Sequence, residues 1–145
     1  MNNSHIAFIL VLSASLSVSG CLSAEPAPNF VALDGKPLTS GNEVDKDGYV
    51  RKVKAPVLHL IRTKADFAKG TILLCPGGGY GFLAIGHEGT STAEFLNAQG
   101  FDVAILEYAV SAGEKTRDLA LADALAAWRL VKSQAKNWVF LESCS

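Results

Sequence analysis

The sequence predicts an α/β fold, a parallel sheet with flanking helices, and three observations carry that expectation. Thr71-Ile72-Leu73-Leu74-Cys75 and Asp102 to Tyr108 are apolar runs rich in β-forming residues, as strands covered on both faces are. The segment between them has helical periodicity, which gives the spacing of a strand, crossover helix, parallel strand unit. A second, longer helical pattern follows from about Glu114 to Lys136.

Composition narrows the function classes. The 145 residues are 49% apolar and 19% charged, with a formal net charge of -1, which suits one globular domain plus a targeting segment. The 13 Lys and Arg residues are scattered, so the clustered positive charge that phosphate backbones require is missing and nucleic acid is not an expected partner. No Cys and His spacing suggests a metal site, and no cofactor is expected.

Taken from the start, Ile6 to Leu16 is an apolar run too short to span a bilayer, followed by small residues. Residues 1–21 therefore read as an export signal. Val18-Ser19-Gly20-Cys21 resembles a bacterial lipobox, which would make Cys21 a lipid-bearing N-terminus and hold the protein to a membrane in the periplasm or at the cell surface. Cleavage by the ordinary signal peptidase near Ala24, giving a periplasmic or secreted protein, and an uncleaved start are the alternatives. The n-region lacks Lys and Arg, and Val18 stands where Leu is commoner. Residues 22–29, with Glu25-Pro26-Ala27-Pro28, read as a stiff tether, and residues 30–145 as the folded domain. Cys75 and Cys144 could pair in an oxidising compartment, although nothing in the sequence places them together, and Cys75 otherwise reads as a small buried core residue.

Phe30 to Val53 is polar and punctuated by glycines, which suits short irregular or edge strands, and Val57 to Ile61 reads as a strand. The first helix is expected from Gly89 to Gln99, with Ala93, Phe95, Leu96 and Ala98 on its core side and Gly100 as its stop. Leu121, Leu125, Trp128, Val131 and Ala135 recur at intervals of three and four, and predict the buried stripe of the second helix. Trp128 and Trp138 read as core residues rather than a sugar platform. A further parallel strand should follow, yet few residues remain after Trp138. The sheet is thus expected to stop half built, with an unpaired edge.

The strongest chemical signal is Pro76-Gly77-Gly78-Gly79-Tyr80 at the end of a strand. Consecutive glycines permit positive φ and bring bare peptide N–H groups against a ligand, and such groups bind anions. A tetrahedral acyl-transfer intermediate is one candidate. A phosphate loop is another, although Tyr80 to His87 separate the glycines from the helix, and a purely structural turn is a third.

These residues, together with Leu83-Ala84, His87-Glu88-Gly89, Leu96-Asn97, Gly100-Phe101 and Leu106-Glu107-Tyr108, resemble the oxyanion-loop region of exported bacterial α/β-hydrolases, the esterase and lipase relatives that include acetylxylan and feruloyl esterase-like enzymes. Asp123-Ala124, Arg129-Leu130-Val131-Lys132 and Ala135-Lys136-Asn137-Trp138 are similar to the helix that precedes the nucleophile strand in that family, with Ala126 where relatives often carry Arg. The resemblance implies an oxyanion hole at Gly78 and Gly79, with Gly77 and Tyr80 shaping the substrate side, and a small-molecule or carbohydrate acyl ester as substrate. It also implies a Ser in a Gly-x-Ser-x-Gly elbow, then an acid, then a His. No such elbow occurs in this sequence, so the domain is expected to be a partial α/β-hydrolase fold, truncated before the elbow, with nucleophile, acid and base absent.

Three residues invite catalytic readings. Ser111, in Ala109-Val110-Ser111-Ala112-Gly113, has an elbow's layout but not its first glycine, and all three His precede it, so it reads as a helix-entry residue. His87 and Glu88 are adjacent and should point apart, Glu88 complementing the positive start of the following helix. His59 reads as a hydrogen-bonded core or sheet-face residue. The expected function is ester hydrolysis in the full-length form, against the alternatives of a non-catalytic surface lipoprotein that binds or scaffolds, or an enzyme with an unorthodox nucleophile such as Ser111.

Overall fold

The computed structural model describes residues 29–65 and 67–140. The expected leader, the tether up to residue 28, the lipidation of Cys21 and the pairing with Cys144 lie outside them, as do the side chains of Ala135 and Trp138.

The described residues form a five-stranded mixed sheet and two helices, an α/β arrangement. Strand β1 (Phe30–Ala32) turns at Asp34-Gly35 into β2 (Pro37–Leu38), where Asp34 Oδ1 accepts the Lys36 N–H. Strands β3 (Val57–Ile61), β4 (Thr71–Leu74) and β5 (Asp102–Glu107) complete the sheet, in the order β2-β1-β3-β5-β4.

Only β4 and β5 pair in parallel, with Leu74 opposite Ile105; the other three pairings are antiparallel. The parallel pairing expected from the sequence holds for β4 and β5, and the parallel sheet is corrected to a mixed one elsewhere. A parallel return needs a crossover of a dozen or more residues, and residues 62–70 between β3 and β4 are too few, so the chain reverses direction there. The β4 to β5 connection is long enough and carries the crossover helix. Its helical path opens with a wide π-type segment, Ile85–Ser91, and continues as α1 (Thr92–Ala98). Gly100 ends it at φ +89° while its N–H donates to the Asn97 carbonyl. Gly89 is buried with Ile105 and Pro76 at 3.4 and 3.5 Å from where a Cβ would stand, so its bareness lets the helix approach β5.

Strand β5 is the wall between two cores. Ala104 and Leu106 pack with Val31, Leu58, Leu60, Ala127 and Val131 on one face. Val103 and Ile105 pack with Val50, Leu83, Ile85, Ala93 and Val110 on the other. All six residues of β5 are buried, Glu107 included, and Glu107 Oε2 accepts the backbone N–H and the side-chain amide of Asn42, each at 2.7 Å. The 71–75 run, expected to be covered on both faces, is instead the edge strand β4; its residues are half-buried and Cys75 beyond it is exposed.

Helix α2 (Thr116–Phe140), entered through a short 3-10 turn at Gly113–Lys115, departs from the expected stripe. Val131 is buried as expected, but Leu121, Leu125 and Trp128 are 62%, 46% and 55% exposed, and Thr116, Ala120 and Ala127 are buried instead. Mostly small residues face inward, which brings the helix backbone close to the sheet and turns the larger apolar side chains outward. In α1, Ala93 is buried and Leu96 half-buried, while Phe95 and Ala98, expected inside, are exposed. His59, in the middle of β3, stacks on Phe30 with ring centroids 4.2 Å apart.

Candidate functional site

Parallel pairing puts the carboxyl ends of β4 and β5 side by side, the position at which open α/β sheets place their ligands. Pro76 to Gly81 leave β4 at that end, and Tyr108 leaves β5. The loop is fastened from several sides. The Tyr108 hydroxyl donates to the Pro76 carbonyl at 2.6 Å. Gly77 donates its N–H to Glu88 Oε2 at 2.7 Å, and its carbonyl accepts the Ala84 N–H at 2.9 Å. The Ser111 N–H reaches the Tyr80 carbonyl at 2.9 Å, and the Ser111 hydroxyl the Gly81 carbonyl at 2.7 Å. Leu83 and Val50 exchange both backbone bonds, anchoring the far end.

The fastening leaves a gap where the sequence draws attention. Among the described residues, no acceptor takes the N–H of Gly78 or Gly79. Gly78 (φ +143°) and Gly79 (φ +61°) hold conformations that L side chains rarely adopt, and a Cβ on Gly78 would strike the Phe82 carbonyl. Tyr80 follows at φ +66°. Two adjacent bare N–H groups at a strand end have the chemistry to hold one anionic oxygen. The Glu88 carboxylate opposes a nearby anion, and its grip on Gly77 is the part of its role that helps the loop.

Beside the loop is a groove of about 240 Å³, lined by Cys75, Tyr80, Tyr108, Arg117, Leu121 and Ala124 among others. The Arg117 guanidinium lies 5.9 Å from the Tyr80 ring centre, a cation–π contact. Tyr108 is held above the ordinary phenol range, chiefly by burial and then by the neighbouring Cys75, Tyr80 and Glu88, so it stays a hydrogen-bond donor to Pro76. Asp123, raised by burial, accepts the Ala109 N–H at 2.9 Å and holds the turn that carries Ser111.

Gly77, Gly78, Gly79 and Tyr80 thus share one loop, with Glu88 against it. His87 is exposed, and its side chain makes no hydrogen bond among the described residues. Ser111 stands at φ +55° with its hydroxyl proton committed to a carbonyl, so it latches the glycine loop rather than meeting a base. Sequence reasoning missed this latch and the Tyr108 bond. The available signal was topological: residues ending two neighbouring parallel strands meet at one end of the sheet. Among the described residues, no cluster of three His, Cys, Asp or Glu side chains could hold a metal ion, and no helix is long and apolar enough to cross a membrane.

Against known proteins, the chain is similar over 63 residues, at 35% identity, to an acetylxylan esterase from Xylanibacter ruminicola. The match takes in 43% of this chain and 13% of that enzyme's length, so it supports an esterase relationship for part of the chain. No protein-family model matches, and no solved structure matches.

Proposed function

We propose that this chain carries the anion-stabilising part of a carboxylic-ester hydrolase of the α/β-hydrolase type, acting on acyl esters of carbohydrate. The observation that carries the reading is the pair of unclaimed N–H groups at Gly78 and Gly79, held at the carboxyl end of β4 by Glu88, Tyr108 and Ser111. The partial likeness to an acetylxylan esterase supports the substrate class.

In such a reaction a nucleophile adds to the acyl carbon and the carbonyl π pair moves onto oxygen. Two fixed donors stabilise that oxyanion, each worth about 3 kcal/mol in a dry site. Collapse then breaks the bond to the sugar oxygen, which leaves with the proton the base took from the nucleophile, and water, adding in the same way, frees the acid from the nucleophile. Gly77 and Tyr80 shape the loop, and the groove beside Tyr80 and Leu121 takes the rest of the substrate. The nucleophile, acid and base come, on this reading, from residues other than those described.

The test is a fusion of this chain to the downstream part of the matched esterase. The fusion is expected to release acetate from acetylated xylan, with Gly78→Ala lowering kcat about 100-fold or more. The chain alone is expected to take no label from a fluorophosphonate serine probe. Stoichiometric labelling of the chain alone that vanishes in Ser111→Ala would overturn this division of labour. The engaged Ser111 hydroxyl favours a second reading, a non-catalytic surface lipoprotein that binds acylated sugar, for which acetylated xylan is retained but never deacetylated.

Export belongs to the same proposal: an N-terminal signal of 1–21 and a lipid on Cys21 would place the domain outside the cytoplasm on a membrane. Cys21→Ala should then move the protein from the membrane fraction to the soluble one.

A further inference from the structure

The side-chain and backbone bonds that fasten the glycine loop end at Pro76, Gly77, Tyr80 and Gly81, on either side of the two N–H groups that matter. Glycine moves readily between backbone conformations, so Gly78 needs something further to keep one. Two contacts supply it. The Gly78 carbonyl accepts the Gly81 N–H at 3.1 Å, and the Phe82 carbonyl closes the side of Gly78 on which a Cβ would stand. Phe82 therefore sets how much room the Gly78 backbone has.

Phe82 is held in turn by the segment Asp45–Arg51, which docks across residues 82–86. One carboxylate builds that segment's turn: Asp45 Oδ1 accepts the N–H groups of Asp47 and Tyr49 at 2.9 and 3.0 Å, and Oδ2 accepts Arg51 Nε at 2.7 Å. The guanidinium so placed lies 5.2 Å from the centre of the Tyr49 ring and 5.8 Å from that of Phe82. The two rings meet at a tilt, with centres 4.8 Å apart. Backbone bonds fix the register around them: Val50 and Leu83 exchange theirs, and the Gly48 carbonyl accepts the Gly86 N–H at 2.9 Å. Gly48 and Gly86 lie backbone on backbone, for a Cβ on either would stand 3.3 to 3.4 Å from the other's Cα. Arg51 is 58% exposed, and an isolated exposed ion pair would count for little. This pair fixes a cation over a ring whose own carbonyl borders Gly78, so its loss is transmitted to the loop.

We propose that Arg51, fixed by Asp45, is a positioning residue of the glycine loop: it clamps the Phe82 ring against Tyr49, and Phe82 keeps the N–H groups of Gly78 and Gly79 aimed. The inference rests on the anion-binding reading of the loop for what those groups do, and not for how they are held. Donors held in place need no rearrangement when charge develops on a bound oxygen.

NMR relaxation on the full-length chain, labelled with heavy nitrogen in its 13 glycines, tests it. Gly78 and Gly79 are expected at the order parameter of rigid backbone, about 0.85. Arg51→Met, which keeps the length and loses the charge, should lower both below about 0.6. Asp45→Asn, which keeps an acceptor for the turn and drops the ion pair, should do the same. Phe82→Tyr, which keeps a ring beside the guanidinium, should leave both at the level of the unaltered chain. Gly35 in the β1–β2 turn and Gly100 at the end of α1 should not move in any variant, and thermal unfolding by circular dichroism confirms that each is folded. Gly78 and Gly79 already mobile in the unaltered chain, or unchanged in either Arg51→Met or Asp45→Asn, overturn the proposal. So does an equal fall at Gly35 and Gly100, or as deep a fall in Phe82→Tyr. A fall confined to the loop supports the clamp whether or not the fusion to the esterase's downstream part turns over; an inert fusion beside such a fall sinks the catalytic reading and leaves the clamp standing.

Discussion

Adjacent glycines in one loop carry different constraints. Gly78 combines positive φ with the Phe82 carbonyl where a Cβ would go, while Gly79 has positive φ with open space around it. Gly79→Ala should therefore cost only the left-handed penalty, about 1 kcal/mol, and Gly78→Ala more, about 2 to 3 kcal/mol with a shifted loop. Urea unfolding of the two variants side by side measures the difference. Glu88 offers a complementary test on the same loop. Glu88→Ala removes the acceptor of the Gly77 N–H and should cost about 1 kcal/mol, with faster hydrogen exchange at Gly77. Glu88→Gln keeps an acceptor oxygen and should retain most of the protection. The two variants together separate the hydrogen bond from the charge.

At the scale of the element, α2 shows that periodicity finds a helix but does not say which face goes inward. Val131 of the expected stripe is buried, yet Leu121, Leu125 and Trp128 are exposed and burial goes instead to Ala120 and Ala127. Ala127→Leu should therefore overpack the core and cost about 1 to 3 kcal/mol, whereas Leu121→Ser should change stability by no more than about 0.5 kcal/mol. Thermal melts decide between the assignments, since the pattern-based reading predicts the reverse order. The strands and helices themselves were legible, because apolar runs and the glycine stop at Gly100 are local signals. Strand direction was not. Whether β3 runs with or against β5 depends on the length of the link at 62–70 and on which strand inserts between β3 and β4, and no local pattern records that. The glycine loop was legible for the same local reason, and its fastening by Glu88, Tyr108 and Ser111 was not, since those bonds join residues that only the fold makes neighbours.

For the whole molecule, His59 links stability to pH. Burial holds its imidazole below the ordinary value of 6.5, so the folded state favours the neutral ring. As pH falls through 6.5 the unfolded chain takes up the proton first, and stability drops. The unfolding midpoint should decline between pH 7 and 5, and His59→Phe, which keeps a ring against Phe30, should flatten that slope. The strand order also sets a timetable. β5 sits between β3 and β4, both of which precede it in the chain, and neither pairs with the other. Roughly 28 residues separate the end of β4 from the start of β5, so at about 5–20 residues per second of synthesis β4 waits on the order of 1 to 6 s for its neighbour. Until β5 leaves the ribosome neither apolar core has its dividing wall, and the nascent chain presents an unpaired β4 and one open edge of β3 to whatever binds them first. A chaperone that holds unfolded chains would find a window there, and a pause in translation between codons 75 and 101 would widen it.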